Sequence, residues 1–165
     1  MSIFKKNVKN KVFSNNIKFA LVCSSGGHFL ELSSLSGLWD SYDHFWVTFK
    51  ANDTDFLLKE ERVFYAFFPT NRNITNLLRN LFLAFRILSK EKPEVLITTG
   101  AGISVPFIFV AILFGIKTIY VESLTRINDL SLSGKLVYPI LNHLFVQWPE
   151  LEKKYKKAKF AGQVI

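Results

Sequence analysis

The sequence predicts an α/β fold built on a mainly parallel sheet with helices on both faces. Short apolar runs bounded by polar residues or glycine are typical of buried parallel strands, and the segments between them carry apolar residues at helical spacing. Because parallel strands need crossover connections, this alternation favours right-handed strand–helix–strand units. With 165 residues, 49% of them hydrophobic, the chain has enough apolar material for one domain.

The first half of the chain shows the alternation plainly. An apolar run at 17–24, bounded by asparagines and by two glycines, predicts the first strand. Phenylalanine and leucine at three-residue spacing predict a helix over 29–38. The aromatic-rich stretches 44–49 and 62–68 predict the second and third strands. An amphipathic segment at 74–90 predicts the next helix.

The second half continues in the same way. The run VLIT at 95–98 predicts a fourth strand, the almost wholly apolar segment 104–114 a buried helix, and TIYV at 118–121 a fifth strand. The lysine-rich stretch 151–159 predicts a terminal helix, followed by a short tail. We find no internal repeat and no low-complexity linker in the sequence.

The chain is basic, with 21 Lys and Arg against 13 Asp and Glu and a net charge of +8. This excess favours a polyanionic partner such as nucleic acid, anionic lipid or a phosphorylated substrate. Basic residues gather at the two ends and on one helix, without the interleaved aromatics and glycines of an RNA-binding sheet, which disfavours nucleic acid. We expect a basic segment over 1–17 that meets an anionic membrane, and a single domain over 18–165.

Several classes of protein are disfavoured by what the sequence contains. Cys23 is the single cysteine, so an internal disulfide is excluded and a reducing compartment is expected. Neither a cysteine cluster nor a His-x-His pattern offers metal ligands, so we expect no metal site. Asparagines interrupt the apolar residues near the amino terminus, unlike a secretory signal. The longest apolar run, 103–116, is shorter than the roughly 20 residues that span a bilayer.

Two glycine-rich loops follow predicted strands. Ser24-Ser25-Gly26-Gly27-His28 follows the first strand, and Thr98-Thr99-Gly100-Ala101-Gly102 follows the fourth. In parallel sheets, ligands bind at the carboxyl ends of the strands, where backbone N–H groups at a helix amino terminus favour an anion. The two loops therefore predict a phosphate site. The alternative is that the glycines only form tight turns.

Glu122 ends the fifth predicted strand, so we expect its carboxylate at the mouth of the same crevice. There it could accept a proton from a hydroxyl nucleophile. It could equally pair with Arg126 or cap the next segment. The spacing of Gly100, Gly102 and Glu122 also imitates a dinucleotide fingerprint, but weakly, because the third glycine is missing and the motif is not in the first βα unit.

The helix at 74–90 has an uneven distribution of apolar residues. Most of them form one broad sector, while Leu83 and Ile87 fall on the polar side near Arg79 and Arg86. This pattern suits a helix lying in a membrane interface as well as one packed on the sheet. In the membrane interpretation the membrane-facing residues are Arg79, Leu83, Phe85, Arg86 and Ile87.

Four ordered motifs together resemble one known family, the acceptor-binding, membrane-associating subunits of split GT-B glycosyltransferases. Such subunits occur in the dolichol-pathway UDP-N-acetylglucosamine transferase and in bacterial capsule and exopolysaccharide gene clusters. The similarity runs from about Lys18 to the carboxyl terminus. The motifs are Ser24-Ser25-Gly26-Gly27-His28-x-x-Glu31, Thr99-Gly100-Ala101-Gly102, Tyr120-Val121-Glu122-Ser123 and Val146-Gln147-Trp148-Pro149.

The resemblance implies a Rossmann-like domain equivalent to the amino-terminal half of a GT-B enzyme. A separate glycosyltransferase chain would bind the UDP-sugar donor, and this chain would bind no cofactor. It would hold a polyprenyl-diphosphate-linked sugar acceptor at the cytoplasmic face of the cell membrane, as a peripheral protein, during surface polysaccharide synthesis. The residues implied at the acceptor diphosphate are Ser25, Gly26, Gly27, His28, Thr99, Gly100, Ala101 and Gly102.

The transfer would be inverting, and it needs a base that takes the proton of the acceptor hydroxyl. Glu122 and His28 are the two candidates. Two other functions stay open from the sequence: a small NAD(P)-binding oxidoreductase using Gly100, Gly102 and Glu122, and a membrane scaffold that recruits a catalytic partner without contributing a site residue.

Overall fold

The computed structural model describes residues 17–70 and 73–164. Seven strands lie within these residues and form one sheet in the order β3-β2-β1-β4-β5-β6-β7, with every neighbouring pair parallel. The predicted fold class is confirmed. The strands are β1 Lys18–Val22, β2 Asp43–Thr48, β3 Val63–Tyr65, β4 Val95–Thr98, β5 Lys117–Val121, β6 His143–Val146 and β7 Ala158–Phe160.

Helices connect most of these strands. They are α1 Gly27–Ser34, α2 Ser36–Trp39, α3 Asn52–Leu57, α4 Ile74–Glu91, α5 Ser104–Leu113, α6 Leu132–Val137 and α7 Pro149–Lys154, with a 3₁₀ turn at Tyr138–Ile140. Among the described residues, no helix is both long enough and apolar enough to cross a bilayer.

The sheet has a core on each face because successive strand residues point to opposite sides. Ala20 and Val22 of β1 face the larger core, to which α4, α5 and α6 contribute. Phe19 and Leu21 face the smaller core, which α1 and α2 cover. The strands are buried on both sides, which is why they read as continuous apolar runs in the sequence.

The strand order reverses between β1 and β4. The chain first builds outward from β1 to β2 and β3, and then returns to place β4 on the other side of β1. The loops after β1 and β4 diverge at this point and leave a crevice at the carboxyl edge of the sheet, where doubly wound folds bind ligands. These loops are the two glycine-rich motifs.

The helix α4 packs on the sheet through one border of its apolar sector and the adjoining side, with Ala84, Ile87 and Leu88 buried. Asn76 and Asn80 point inward, where their side chains exchange hydrogen bonds with the backbone of Phe67 and Pro69 at 2.9 to 3.0 Å. Because these asparagines hold the 67–69 segment, most of the broad apolar sector faces outward. Its exposed members are Ile74, Leu77, Leu78, Leu81, Phe82 and Phe85.

This orientation corrects two of the five predicted membrane-facing residues. Ile87 is buried, and Leu83 is partly buried against the core below α4, so neither forms the outer surface. Phe85, Arg79 and Arg86 are exposed as expected. The sequence pattern located the apolar sector but not the side of α4 that faces the sheet, because two polar side chains, Asn76 and Asn80, are buried beside Ile87.

Several short elements escape sequence prediction. The helix α3 has one buried residue, Thr54, and so lacks a periodic signal. The lysine-rich stretch predicted as one helix divides into α7 and the short edge strand β7, because Tyr155 adopts an extended backbone between them. The basic segment expected at 1–17 lies almost wholly outside the described residues. Lys18 just after it is ion-paired with Glu91, Nζ to Oε2, at 3.0 Å.

Candidate functional site

A cavity of about 800 Å³ opens at the carboxyl edge of the sheet, over the point where the strand order reverses. Its walls come from the two glycine-rich loops, the segment before α4, the first half of α4, the β5–α6 loop and α6. The described residues that line the cavity include Arg126 and His28 but no acidic side chain. The polar end of the cavity is therefore suited to an anion.

The first glycine-rich loop turns β1 into α1. Gly26 has φ +77° and ψ −135°, a conformation that favours glycine, and it places the amino terminus of α1 at the cavity without a side-chain cap. Ser24, Ser25 and His28 of this loop line the cavity. The N–H of Gly26 donates to Asp53 Oδ2 at 2.8 Å, so this group is already used within the chain.

The second glycine-rich loop contains two consecutive residues with positive φ, Gly100 at +104° and Ala101 at +68°. A Cβ atom at Gly100 would lie 2.6 Å from the Tyr120 hydroxyl oxygen, so the loop packs directly on β5. A Cβ atom at Gly102 would lie 2.8 Å from Thr70 Oγ1, so this glycine lets the segment before α4 close over the loop. At both positions close packing explains why the residue is glycine.

The structure brings half of the predicted diphosphate residues to the cavity surface. Ser25, His28, Ala101 and Gly102 line it. Gly26, Gly27, Thr99 and Gly100 do not: the Thr99 hydroxyl donates to the His28 carbonyl oxygen at 2.7 Å, and the Gly100 N–H donates to Thr98 Oγ1 at 3.1 Å. The first bond ties the two loops together and holds the backbone of His28, and the second stabilises the turn of the second loop.

Glu122 lies below the floor of the cavity, not at its mouth, and its side chain is fully buried. Its Oε1 accepts the Ser123 N–H at 3.0 Å, and its Oε2 accepts the N–H and hydroxyl of Ser131 at 2.9 and 3.0 Å. Ser131 is the N-cap of α6. The expected position was wrong because the β5–α6 loop folds back over the carboxylate, and of the roles weighed from the sequence the structure shows the capping one.

Burial raises the pKa of Glu122, against the opposing effect of its hydrogen bonds from Ser131 and Ser123. A raised pKa would suit a general base, but a base must reach the proton it takes. Among the described residues, the hydrogen bonds that this carboxylate accepts come from the two serines. Its catalytic role stays a prediction, and its enclosed position argues against that role.

Glu31 is a buried acid that sequence reasoning placed in a motif without a role. Its Oε1 accepts the Ser123 hydroxyl and the Leu124 N–H, both at 2.9 Å, so it anchors the β5–α6 loop to α1. Its Oε2 lies 3.7 Å from His28 Nδ1. Helical i, i+3 spacing places the two side chains on one side of α1.

Arg126 is a second residue of the site, which the sequence analysis considered only as a partner for Glu122. It follows the motif that contains Glu122 and lines the cavity, while the Glu122 carboxylate is hydrogen-bonded to Ser123 and Ser131. Arginine binds phosphate through two parallel N–H bonds, so Arg126 adds a cation to the polar end of the site. Among the described residues, no group of three His, Cys, Asp or Glu side chains could hold a metal ion.

Comparison with known proteins identifies relatives. Residues 68–164, more than half of the chain, match the family described as oligosaccharide biosynthesis protein Alg14 like. The UDP-N-acetylglucosamine transferase subunit ALG14 of Homo sapiens is 35% identical over 94 residues, which are 53% of this chain and 44% of that protein. The same subunit of Debaryomyces hansenii is 30% identical over 131 residues, 72% of this chain and 54% of that protein. The matched region thus spans about half the length of these relatives.

Solved structures share the fold at low sequence identity. MurG of Acinetobacter baumannii superposes with a TM-score of 0.67 at 15% identity, over 81% of this chain and 42% of that chain. UDP-N-acetylglucosamine 2-epimerase of Rickettsia bellii superposes with a TM-score of 0.70 at 15% identity, over 90% of this chain and 45% of that chain. In both, the chain matches somewhat less than half of a longer protein, as expected for one Rossmann-like half of a GT-B structure.

The family match includes the second glycine-rich loop, the strand that ends in Glu122 and the motif Val146-Gln147-Trp148-Pro149, and the fold agrees with the resemblance that those motifs carry. The chain belongs to the Alg14-like family of oligosaccharide biosynthesis proteins.

Proposed function

We propose that this chain is the acceptor-binding subunit of a two-chain inverting glycosyltransferase. It binds a polyprenyl-diphosphate-linked sugar at the cytoplasmic face of the cell membrane, where it recruits a partner chain that carries the UDP-sugar. The pathway we propose is the assembly of a surface polysaccharide, capsular or extracellular. One observation carries the proposal, namely a cavity with a cationic end and an apolar end that continues onto an exposed apolar helix face.

The two ends of the cavity differ in chemistry. The polar end has the side chains of Arg126 and His28, which favour a phosphate group. The apolar end is lined by side chains from the segment before α4, from α4 itself and from α6. These are Phe68, Ile74, Leu77, Leu132 and Leu136. A ligand that satisfies both ends is an amphiphile with an anionic head.

The apolar end of the cavity opens onto the outer face of the molecule. Ile74 and Leu132 are both 74% exposed although they line the cavity. Beyond Ile74 the exposed side of α4 continues through Leu78, Phe82 and Phe85, and Phe85 packs against Phe114 with ring centroids 5.1 Å apart. We call this surface the α4 face, made of Ile74, Leu78, Phe82, Phe85 and Phe114.

The α4 face supports docking to a lipid bilayer. Apolar side chains exposed together over a whole helix are costly in water and mark an interaction surface. The α4 face also has Arg79 and Arg86 at its border, and cations beside an apolar face suit an anionic leaflet. In this arrangement the lipid chain of the acceptor leaves the cavity past Ile74 and enters the bilayer directly.

The proposal of a partner chain is supported by the names of the relatives. The relatives from Homo sapiens and Debaryomyces hansenii are named as subunits of a UDP-N-acetylglucosamine transferase. We therefore assign the donor site to a second chain. The oxidoreductase alternative is disfavoured, since the enclosed Glu122 carboxylate cannot meet a ribose.

The test is equilibrium binding of a short-chain prenyl diphosphate sugar to the chain alone. Arg126→Ala should weaken binding at least about 10-fold, because it removes a charge-assisted phosphate contact. Lys117→Ala is the matched control, since it removes a cation at the opposite edge of the sheet and should leave binding unchanged. Equal affinity of wild type and Arg126→Ala would contradict the assignment of the diphosphate to this end of the cavity.

A further inference from the structure

Two buried polar atoms face each other beneath the cavity. His28 Nδ1 and Glu31 Oε2 are 3.7 Å apart, and neither makes a hydrogen bond to any other described residue. Buried polar atoms nearly always have a partner, so a pair that lies close together and otherwise unbonded points to an interaction between the two. A small rotation of either side chain would bring them within hydrogen-bond distance.

The other contacts of Glu31 fix its carboxylate in this direction. Oε1 is occupied by the Ser123 hydroxyl and the Leu124 N–H, which leaves Oε2 toward the histidine. Burial would raise the pKa of Glu31, but His28 and the two hydrogen bonds outweigh it and hold the pKa below its usual range. Glu31 is therefore an anion at neutral pH, and its carboxylate can only accept a hydrogen bond, so the proton between the two side chains belongs to His28 Nδ1.

His28 is held from its backbone as well. The Thr99 hydroxyl donates to its carbonyl oxygen, and its ring lines the cavity with 28% of the side chain exposed. Because Nδ1 is buried, the exposed part of the ring consists of its other atoms. One nitrogen thus faces the carboxylate beneath the floor, and the opposite side of the ring faces the cavity.

We propose that Glu31 is a positioning residue that holds the ring proton of His28 on Nδ1 and so leaves Nε2 as a proton acceptor at the cavity. The carboxylate–histidine arrangement fixes the tautomer in the same way in other sites. Its use in catalysis rests on the proposed function. Nε2 takes the proton of the acceptor hydroxyl while that oxygen bonds to the anomeric carbon, and the nucleoside diphosphate leaves with the electron pair of the broken bond.

The direct test measures the His28 tautomer by ¹⁵N NMR on the chain alone at mildly alkaline pH. Wild type should show the Nδ1–H form, and Glu31→Gln should shift the ring toward the Nε2–H form. Ser123→Ala, which removes one hydrogen bond of Glu31 but keeps its carboxylate, should retain the Nδ1–H form. His44 serves as an internal reference, because both of its nitrogens have partners of their own.

The outcomes are decisive in both directions. A wild-type Nε2–H tautomer, or an unchanged tautomer in folded Glu31→Gln, overturns the proposal. If Glu31→Gln does not fold, the wild-type spectrum and Glu31→Asp, which keeps the carboxylate and should keep the tautomer, decide it. None of these measurements needs the partner or the acceptor, so they stand even where sugar transfer is not observed.

The kinetic test uses the reconstituted pair of chains. His28→Gln should lower kcat by about 10²-fold or more, as expected for the loss of general-base help. Glu31→Gln should lower kcat by a smaller factor with little change in acceptor KM, and Glu31→Asp should recover part of it. The double variant should be no slower than His28→Gln, because Glu31 acts through His28. A loss of kcat in the double variant equal to the product of the two single losses would contradict the proposal.

Discussion

Gly100 has two independent reasons to be glycine, which makes its replacement a sharp test of the second loop. Its φ of +104° is strained for any L side chain, and an added Cβ would lie 2.6 Å from the Tyr120 hydroxyl oxygen. Gly100→Ala should therefore reduce the free energy of unfolding by at least about 1–2 kcal/mol. Chemical denaturation measures this change.

Gly37→Ala is the control for that variant. Gly37 lies in α2, and a Cβ atom there would meet nothing within 4 Å. Alanine in a helix is favoured over glycine, so the control should be neutral or more stable by about 0.5–1 kcal/mol. If both variants changed the unfolding free energy equally, the packing of Gly100 on Tyr120 would be excluded as the cause.

Glu122→Gln should act on stability before it acts on chemistry. A glutamine amide would place an NH₂ group against an N–H of Ser123 or of Ser131, and one buried donor would be left without an acceptor. Such a group costs about 1–3 kcal/mol. We expect a lower Tm, with transfer activity that follows the folded fraction. A 10²-fold loss of kcat at unchanged Tm would instead establish Glu122 as the base.

The pH dependence of stability gives a second view of the same carboxyl group. Because burial raises the folded-state pKa of Glu122, folding favours its protonated form. The contribution of this carboxyl group to the free energy of unfolding is fully present below the ordinary glutamate pKa of about 4.3. It is lost as pH rises through the folded-state pKa. The stability of wild type relative to Glu122→Gln should thus decline as pH increases, in paired denaturation curves. A difference that grows with pH would contradict the raised pKa.

The helix α4 carries the prediction for membrane binding. Phe82→Glu places a charge on the α4 face where the side chain is 76% exposed, so sedimentation with anionic liposomes should fall markedly while folding is unaffected. Leu38→Glu is the control, because Leu38 is 54% exposed on α2, across the sheet from α4. Equal loss of binding in both variants, or in neither, would exclude the α4 face as the docking surface.

Leu83 separates the sequence-based interpretation of this helix from the structural one. The sequence pattern predicts a membrane-facing Leu83, but in the structure Leu83 is partly buried against the core. Leu83→Glu should lower the Tm, since it removes an apolar contact with the core and places an unpaired carboxylate against apolar side chains. Circular dichroism distinguishes this outcome from a specific loss of membrane binding. A fully folded variant that no longer binds liposomes would restore the sequence-based orientation.

The elements that sequence predicted well are those with strong local signals. The strand β4 is found at the predicted residues. The ends of five other elements differ from the prediction by at most two residues, namely those of β1, β2, β5, α4 and α5. The parallel sheet followed from their alternation. The orientation of α4 could not be predicted, because it depends on hydrogen bonds from Asn76 and Asn80 to a segment that has no regular structure of its own.

The candidate site was predictable in location but only partly in its members. Glycines after β1 and β4 marked the crevice, since both loops diverge at the reversal of strand order. The burial of Glu122 could not be foreseen, because the serine that covers it lies nine residues later, beyond a loop without periodicity. The pairing of Glu31 with His28 was visible as helical spacing, but its meaning depends on the loop that occupies the other carboxylate oxygen.

The molecule as a whole presents two open surfaces on one body. The carboxyl edge of the sheet exposes the cavity, and the α4 face runs away from it along the larger core. A bilayer on the α4 face leaves the edge of the sheet free for a second chain, so the two proposed partners do not compete. This geometry explains how a subunit could hold a lipid-linked acceptor while another chain supplies the sugar nucleotide.

The most direct measurement of the central claim is sugar transfer from a UDP-sugar to a polyprenyl-diphosphate-linked acceptor, by this chain, by its candidate partner and by both together. We predict transfer only by the mixture, with a strong loss in the mixture when this chain carries Arg126→Ala or His28→Gln. Robust transfer by this chain alone would contradict the division of the enzyme into two chains. Full activity of the mixture with both variants would show that this chain recruits its partner without forming the site.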